Sequence, residues 1–158
     1  MKCSLAYSLL ADVQCSLDWL ENQDNPSKRR ILWIASISML NTISDVLDRD
    51  PDKEVRKWIQ DARLRWKQEA KDGRNIFEHF IRIERNNLNH EWLHGHSDDA
   101  PIFLVVKEDE GAEEQAFGNF NHLYWPMENG PFAGEDARDV LKWSIDWWRS
   151  ELEKMERA

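Results

Sequence analysis

The chain has 158 residues, 41% of them hydrophobic and 32% charged, which is enough to bury the core of one domain and too apolar for a disordered segment. Its formal net charge of −9 and pI near 5.0 exclude broad, non-specific binding to a nucleic-acid backbone, though not one locally basic cleft. Two cysteines, Cys3 and Cys15, supply neither a disulfide framework nor a zinc ribbon.

Residues 4–22 read as a first helix, with Leu5, Leu9, Val13, Leu17 and Leu20 at helical spacing. Asp12 interrupts the apolar start, so this stretch reads as an amphipathic helix rather than a secretory leader. Pro26 closes the helix, and Ser27 is placed to cap a second one that ends near Leu47. Ile31, Leu32, Ile34, Ala35, Ile37, Met39, Leu40, Ile43, Val46 and Leu47 wrap most of its circumference, which marks a core helix. No apolar stretch reads as long enough to span a bilayer, and the expected setting is cytoplasmic.

Asp50 as N-cap, with Pro51 after it, opens a third helix that runs to about Lys71 with a stripe of Val55, Trp58, Ile59, Ala62 and Trp66. Asp72-Gly73 stops it, and a fourth helix covers about 75–93. His94 to Pro101 is loop. Ile102 to Val106 and Ala116 to Tyr124 flank an acidic turn and predict a small β-hairpin over about 101–125. Gly134 to Arg157 forms the last helix. The expected fold is mainly α: a single domain spanning 1–158, a bundle of about five helices with a β-hairpin inserted before the final helix. Nine tryptophans suit its core and a subunit contact; a platform on which bases stack is the alternative use.

The chemistry concentrates in the fourth helix. Projected at about 100° per residue, Ile76, Phe77, Phe80, Ile81, Ile83, Leu88 and Trp92 face the core. His79, Arg82, Arg85, Asn86, Asn89 and His90 take the other side, while Glu84 and Asn87 fall inside the apolar arc. A buried carboxylate there needs partners. Arginine can grip a phosphate with two hydrogen bonds and histidine can move a proton near neutral pH. Spacing alone is a weak signal. With twelve arginines and five histidines, an Arg followed four to six residues later by His arises roughly once by chance, and Arg74 to His79 is a second copy.

This helix resembles the signature helix of the HEPN superfamily, small helical-bundle proteins of toxin–antitoxin, phage-defence and RNA-processing systems. The family pattern of Arg, an adjacent polar residue and a His after a short spacer matches Arg85, Asn86 and His90. The resemblance covers roughly residues 5–95 and the last helix, and implies a metal-independent endoribonuclease with no cofactor. In that reading Arg85, Asn86 and His90 are catalytic, and Arg82, Asn89 and His79 bind substrate. It also implies a homodimer in which two copies of the helix share one cleft, with RNA as substrate and an antitoxin or other protein as further partner. A non-catalytic interaction or nucleotide-binding module is the alternative. His90, His94 and His96 with Asp98 and Asp99 offer a rival metal site, but the Glu-x-x-His repeats of a di-iron bundle are absent.

Overall fold

The computed structural model describes residues 3–73, 75–90, 95 and 124–158, without the side chains of Asn89 and His90. It is mainly helical. Helix α1 (Ser4–Glu21) pairs with α2 (Pro26–Asp48); α3 (Lys53–Lys71) follows, then a π-helical turn (Phe77–Ile81) that runs directly into α4 (Arg82–His90). A 3₁₀ turn (Gly130–Phe132) precedes α5 (Ala137–Arg157). Among the described residues there is no strand, only an isolated antiparallel bridge between Pro126 and Asp136. Most of the expected hairpin lies outside the described residues.

Helix ends fall where local capping is best satisfied, which moves three boundaries from their expected places. Pro26 opens α2 instead of closing α1: Asn25 is the N-cap, its Oδ1 accepting from Lys28 N at 3.0 Å, and proline's fixed φ suits the first helical position. Asp52, not Asp50, caps α3 by accepting from Glu54 N at 2.8 Å, while Asp50 accepts from Asp52 N in the preceding turn. Asp136 caps α5 through Arg138 N at 2.9 Å, so the helix opens at Ala137, three residues after the expected start at Gly134.

The core lies between α1, α2, α3 and α5, with the π turn and α4 packed on α2 and α3. On α1 the buried stripe is Ala6, Leu10, Val13, Leu17 and Leu20, so Leu5 is 58% exposed instead of buried. The 4-3-4-3 spacing of the buried set tracks the helical repeat, and Leu5 sits one position off it. The α1–α2 contact carries a small polar seam, with the buried hydroxyls of Ser16 and Ser36 2.8 Å apart. Trp66, Phe77, Trp147 and Trp148 form an aromatic cluster with ring centroids 5.0 to 5.8 Å apart, within the range for favourable edge and offset packing.

The tryptophans divide by role. Trp33, Trp66, Trp125 and Trp148 are fully buried, whereas Trp19 and Trp143 are 61% and 42% exposed. By length and composition α2 does meet the requirement for a membrane span, with a mean hydropathy of 1.3, contrary to the sequence reading. In the bundle Trp33, Ile37, Leu40, Ile43 and Leu47 are all buried, and α2 touches α1, α3, α4 and α5. Its apolarity is that of a central helix.

Candidate functional site

The π turn and α4 form the element from which the chemistry projects. Asn75, 1% exposed, starts it: its Oδ1 accepts from Glu78 N at 3.1 Å and its Nδ2 donates to Glu69 Oε2 of α3 at 2.8 Å. The π turn ends where Arg82 N donates to Phe77 O, five residues back. Such wide turns are rare and recur at functional sites. Phe77, Phe80, Ile81, Glu84 and Leu88 are the buried set, spaced as one helical stripe. Ile83, expected in the core, is 46% exposed because it lies about 120° around the helix from Phe77.

Glu84 is the carboxylate that the helical projection places among apolar residues, and it is buried, 3% exposed. Its Oε1 accepts from the indole Nε1 of Trp33 at 2.8 Å and from the backbone N of Gly95 at 2.8 Å. Glu84 thus ties α4 to the central helix and to the chain beyond α4. Gly95 fits there for want of a side chain, since a Cβ would come within 2.7 Å of Glu84 Oε2. The same device recurs on α5. The buried Glu151 accepts from Trp66 Nε1 at 2.9 Å and from Lys154 Nζ at 2.6 Å, and pairs with Arg65. These two acid–indole pairs depend on Trp33 and Trp66. Trp66 falls in the apolar stripe of α3 by spacing, whereas Trp33 stands outside the apolar set expected for α2; a carboxylate inside an apolar arc is the signal in the sequence that a buried donor must meet it.

Two grooves flank the π turn and α4. On one side, Asn41, Ser44 and Asp45 of α2, Arg63 and Lys67 of α3, and Phe77, Glu78, Arg82, Arg85 and Asn86 enclose a cleft of about 400 Å³. On the other, Phe80, Ile83, Glu84, Asn87, Met127 and Phe132 border a second groove of about 280 Å³, with His79 on its rim. The first cleft brings together Arg82, Arg85 and Asn86 of the expected site. His79 is not with them: its Nε2 is 2.7 Å from the carbonyl oxygen of Ala70, joining the helix to the C-terminal end of α3. The physical reason is angular, as His79 lies about 120° from Arg85 around the helix axis. His90 lies on α4 four residues beyond Asn86, about one turn further on the same side by helical register. The side chains of Asn89 and His90, and the rival histidine metal site through His94 and His96, lie outside the described residues.

Charge within the first cleft is unevenly spent. Arg82 pairs with Glu78 at 2.7 Å. Arg63 is held at four points on α2, by Asp48 at 2.9 Å, Asp45 at 3.5 Å and the carbonyl and hydroxyl of Ser44 at 3.1 and 3.0 Å. Arg85, half-buried, has no hydrogen-bond or ion-pair partner among the described residues. None of the eight described tryptophans borders the cleft.

At the opposite end of the bundle, a second polar assembly anchors α5. Trp125, 1% exposed, has the guanidinium of Arg29 4.7 Å and that of Arg138 5.1 Å from its ring centre. Burial raises the pKa of the Asp136 carboxyl, but the hydrogen bonds and charge of Arg138 outweigh it and hold the carboxyl below its ordinary value. Near the N-terminus, burial and the neighbouring Asp50 push the Cys3 thiol up to about 12.

Fold and cleft together define a helical-bundle protein with a polar, locally cationic groove bounded by three helical segments. Comparison with family models, with curated proteins and with solved structures finds no match.

Proposed function

We propose that this chain is a HEPN-like endoribonuclease that works without a metal, with Arg85, Asn86 and His90 as its catalytic residues. The observation that carries the reading is the open cleft itself. Arg85 and Asn86 line it with an excess of cationic over acidic side chains, on a chain whose overall charge is −9. A concave, locally positive site of this kind concentrates an anionic backbone despite unfavourable net charge.

In the proposed reaction His90 removes the proton from a ribose 2′-hydroxyl as that oxygen bonds to phosphorus, and the bond from phosphorus to the 5′-oxygen breaks. The leaving oxygen takes a proton from solvent or from the second copy's imidazole. Arg85 stabilises the added negative charge on the phosphoryl oxygens, and Asn86 orients the phosphate. A homodimer that sets two α4 helices side by side would double the local positive charge. The expected biological setting is a cytoplasmic toxin–antitoxin or defence module with a neutralising protein partner.

The test is cleavage of single-stranded RNA by wild type, Arg85→Ala and His90→Ala, each with excess chelator. Wild-type activity should persist, and each substitution should lower the rate by about 100-fold or more. Equal cleavage by all three would sink the assignment, as would abolition by chelator. RNA binding that weakens in Arg85→Ala without cleavage by any variant would favour the non-catalytic module.

A further inference from the structure

The cleft holds four cationic side chains, Arg63, Lys67, Arg82 and Arg85, against two carboxylates, Asp45 and Glu78. Pairing ranks the four as contacts for a ligand. Arg63 spends its guanidinium on Asp45, Asp48 and Ser44, so it fastens α3 to α2 and is only 30% exposed. Arg82 is engaged by Glu78 one turn earlier on the same helix. That leaves Lys67, exposed on α3, and Arg85, half-buried on α4, as the two cations with no ion-pair partner among the described residues. They reach the cleft from different helices, and the uncharged donors of Asn41 and Asn86 border the space with them.

We propose that Lys67 and Arg85 form a two-point grip on a phosphodiester backbone, Lys67 as a binding residue and Arg85 at the reacting phosphate. This rests on the ribonuclease reading of the same cleft. The two side chains suit different tasks. Arginine's planar fork matches two phosphoryl oxygens in a fixed geometry, whereas the lysine ammonium is a mobile point charge that holds an anion without orienting it. Arg82 would exchange its exposed i,i+4 pair with Glu78 for a phosphate, whereas Lys67 has no such pair to give up, and this favours Lys67 as the second contact. The consequence is a division of labour that kinetics can read. Loss of Lys67 removes binding shared by ground state and transition state and raises KM, whereas loss of Arg85 lowers kcat.

The experiment uses the full chain and a short fluorescein-labelled 2′-O-methyl RNA, which lacks the attacking hydroxyl, with anisotropy recorded across a salt series. Lys67→Ala should weaken binding by about three- to tenfold and lower the slope of log affinity against log salt by roughly 0.7, one phosphate contact on a single strand. Lys67→Arg should restore the slope. Lys142→Ala, an exposed lysine of α5 away from the cleft, should leave both unchanged. On cleavable RNA, Lys67→Ala should raise KM with kcat nearly preserved. Affinity and slope equal to wild type in Lys67→Ala, while Arg85→Ala binds more weakly, would overturn the role of Lys67 and leave the cleft reading intact. An equal loss in Lys142→Ala would also overturn it, by tracing the effect to overall charge. No binding by wild type would remove the cleft reading and the grip together. Unchanged far-ultraviolet circular dichroism is expected throughout, because Lys67 is exposed.

Discussion

Replacing Glu84 is the sharpest probe of how α4 is held over the core. Its Oε1 accepts two hydrogen bonds, each 2.8 Å, from Trp33 Nε1 and Gly95 N, and the side chain is 3% exposed. Hydrogen bonds to a charged acceptor contribute about 1.5–3 kcal/mol each, and a buried donor left without an acceptor costs about 1–3 kcal/mol. Glu84→Ala removes the acceptor and strands the Trp33 indole, so a loss of about 3–5 kcal/mol is expected. Glu84→Gln keeps a carbonyl oxygen at the same place and loses only the charge assistance, which should limit the loss to about 1–2 kcal/mol. Urea unfolding followed by tryptophan fluorescence measures both, with the midpoint shifting at constant m-value. In thermal melts a loss of about 3 kcal/mol corresponds to about 6–12 °C for a chain of this size. Two results would refute the reasoning: Glu84→Ala within about 0.5 kcal/mol of wild type, or Glu84→Gln as damaging as Glu84→Ala.

Two further outcomes follow from titrating groups at the bundle's ends. The folded-state pKa of Asp136 lies below its ordinary 3.8, so its stabilisation is present above that value and lost as pH falls through the folded-state value. Asp136→Asn should therefore be less stable than wild type at neutral pH, with the gap closing in acid; a constant gap across the acid titration would count against the ion pair with Arg138. The two thiols should differ sharply: Cys15 is exposed, while Cys3 is buried and pushed up to about 12, so iodoacetamide at pH 8 should label one cysteine of the native chain. Rapid labelling of both without denaturant would show that the Cys3 environment is open in solution.

Much of the bundle was legible because burial imposes the helical period directly on the sequence. The stripe Val55, Ile59, Ala62 and Trp66 is buried as its spacing requires, and Trp58 is half-buried at the edge. Expected and observed positions differ where two neighbouring residues compete for one role. Leu5 and Ala6 both continue the α1 pattern, and the smaller residue is the one that the packing takes in. Asp50 and Asp52 both can cap α3, and the choice depends on which carboxylate the turn aims at a free N–H. In the candidate site, helical register put Arg82, Arg85 and Asn86 near one another but could not say which groove each would border.

The sequence by itself determined that α4 carries an arginine, asparagine and histidine on a polar side, and that Glu84 falls among apolar neighbours in need of partners. Those are properties of a single helix, fixed by the 3.6-residue repeat. Tertiary structure alone decided the rest. Trp33 lies 51 residues before Glu84, and Lys67 lies 18 before Arg85 on another helix, so no local pattern announces either meeting. Only the packing of α2, α3 and α4 encloses the cleft, seats Arg63 and Arg82 against carboxylates, and leaves Lys67 and Arg85 as its cations with no ion-pair partner among the described residues.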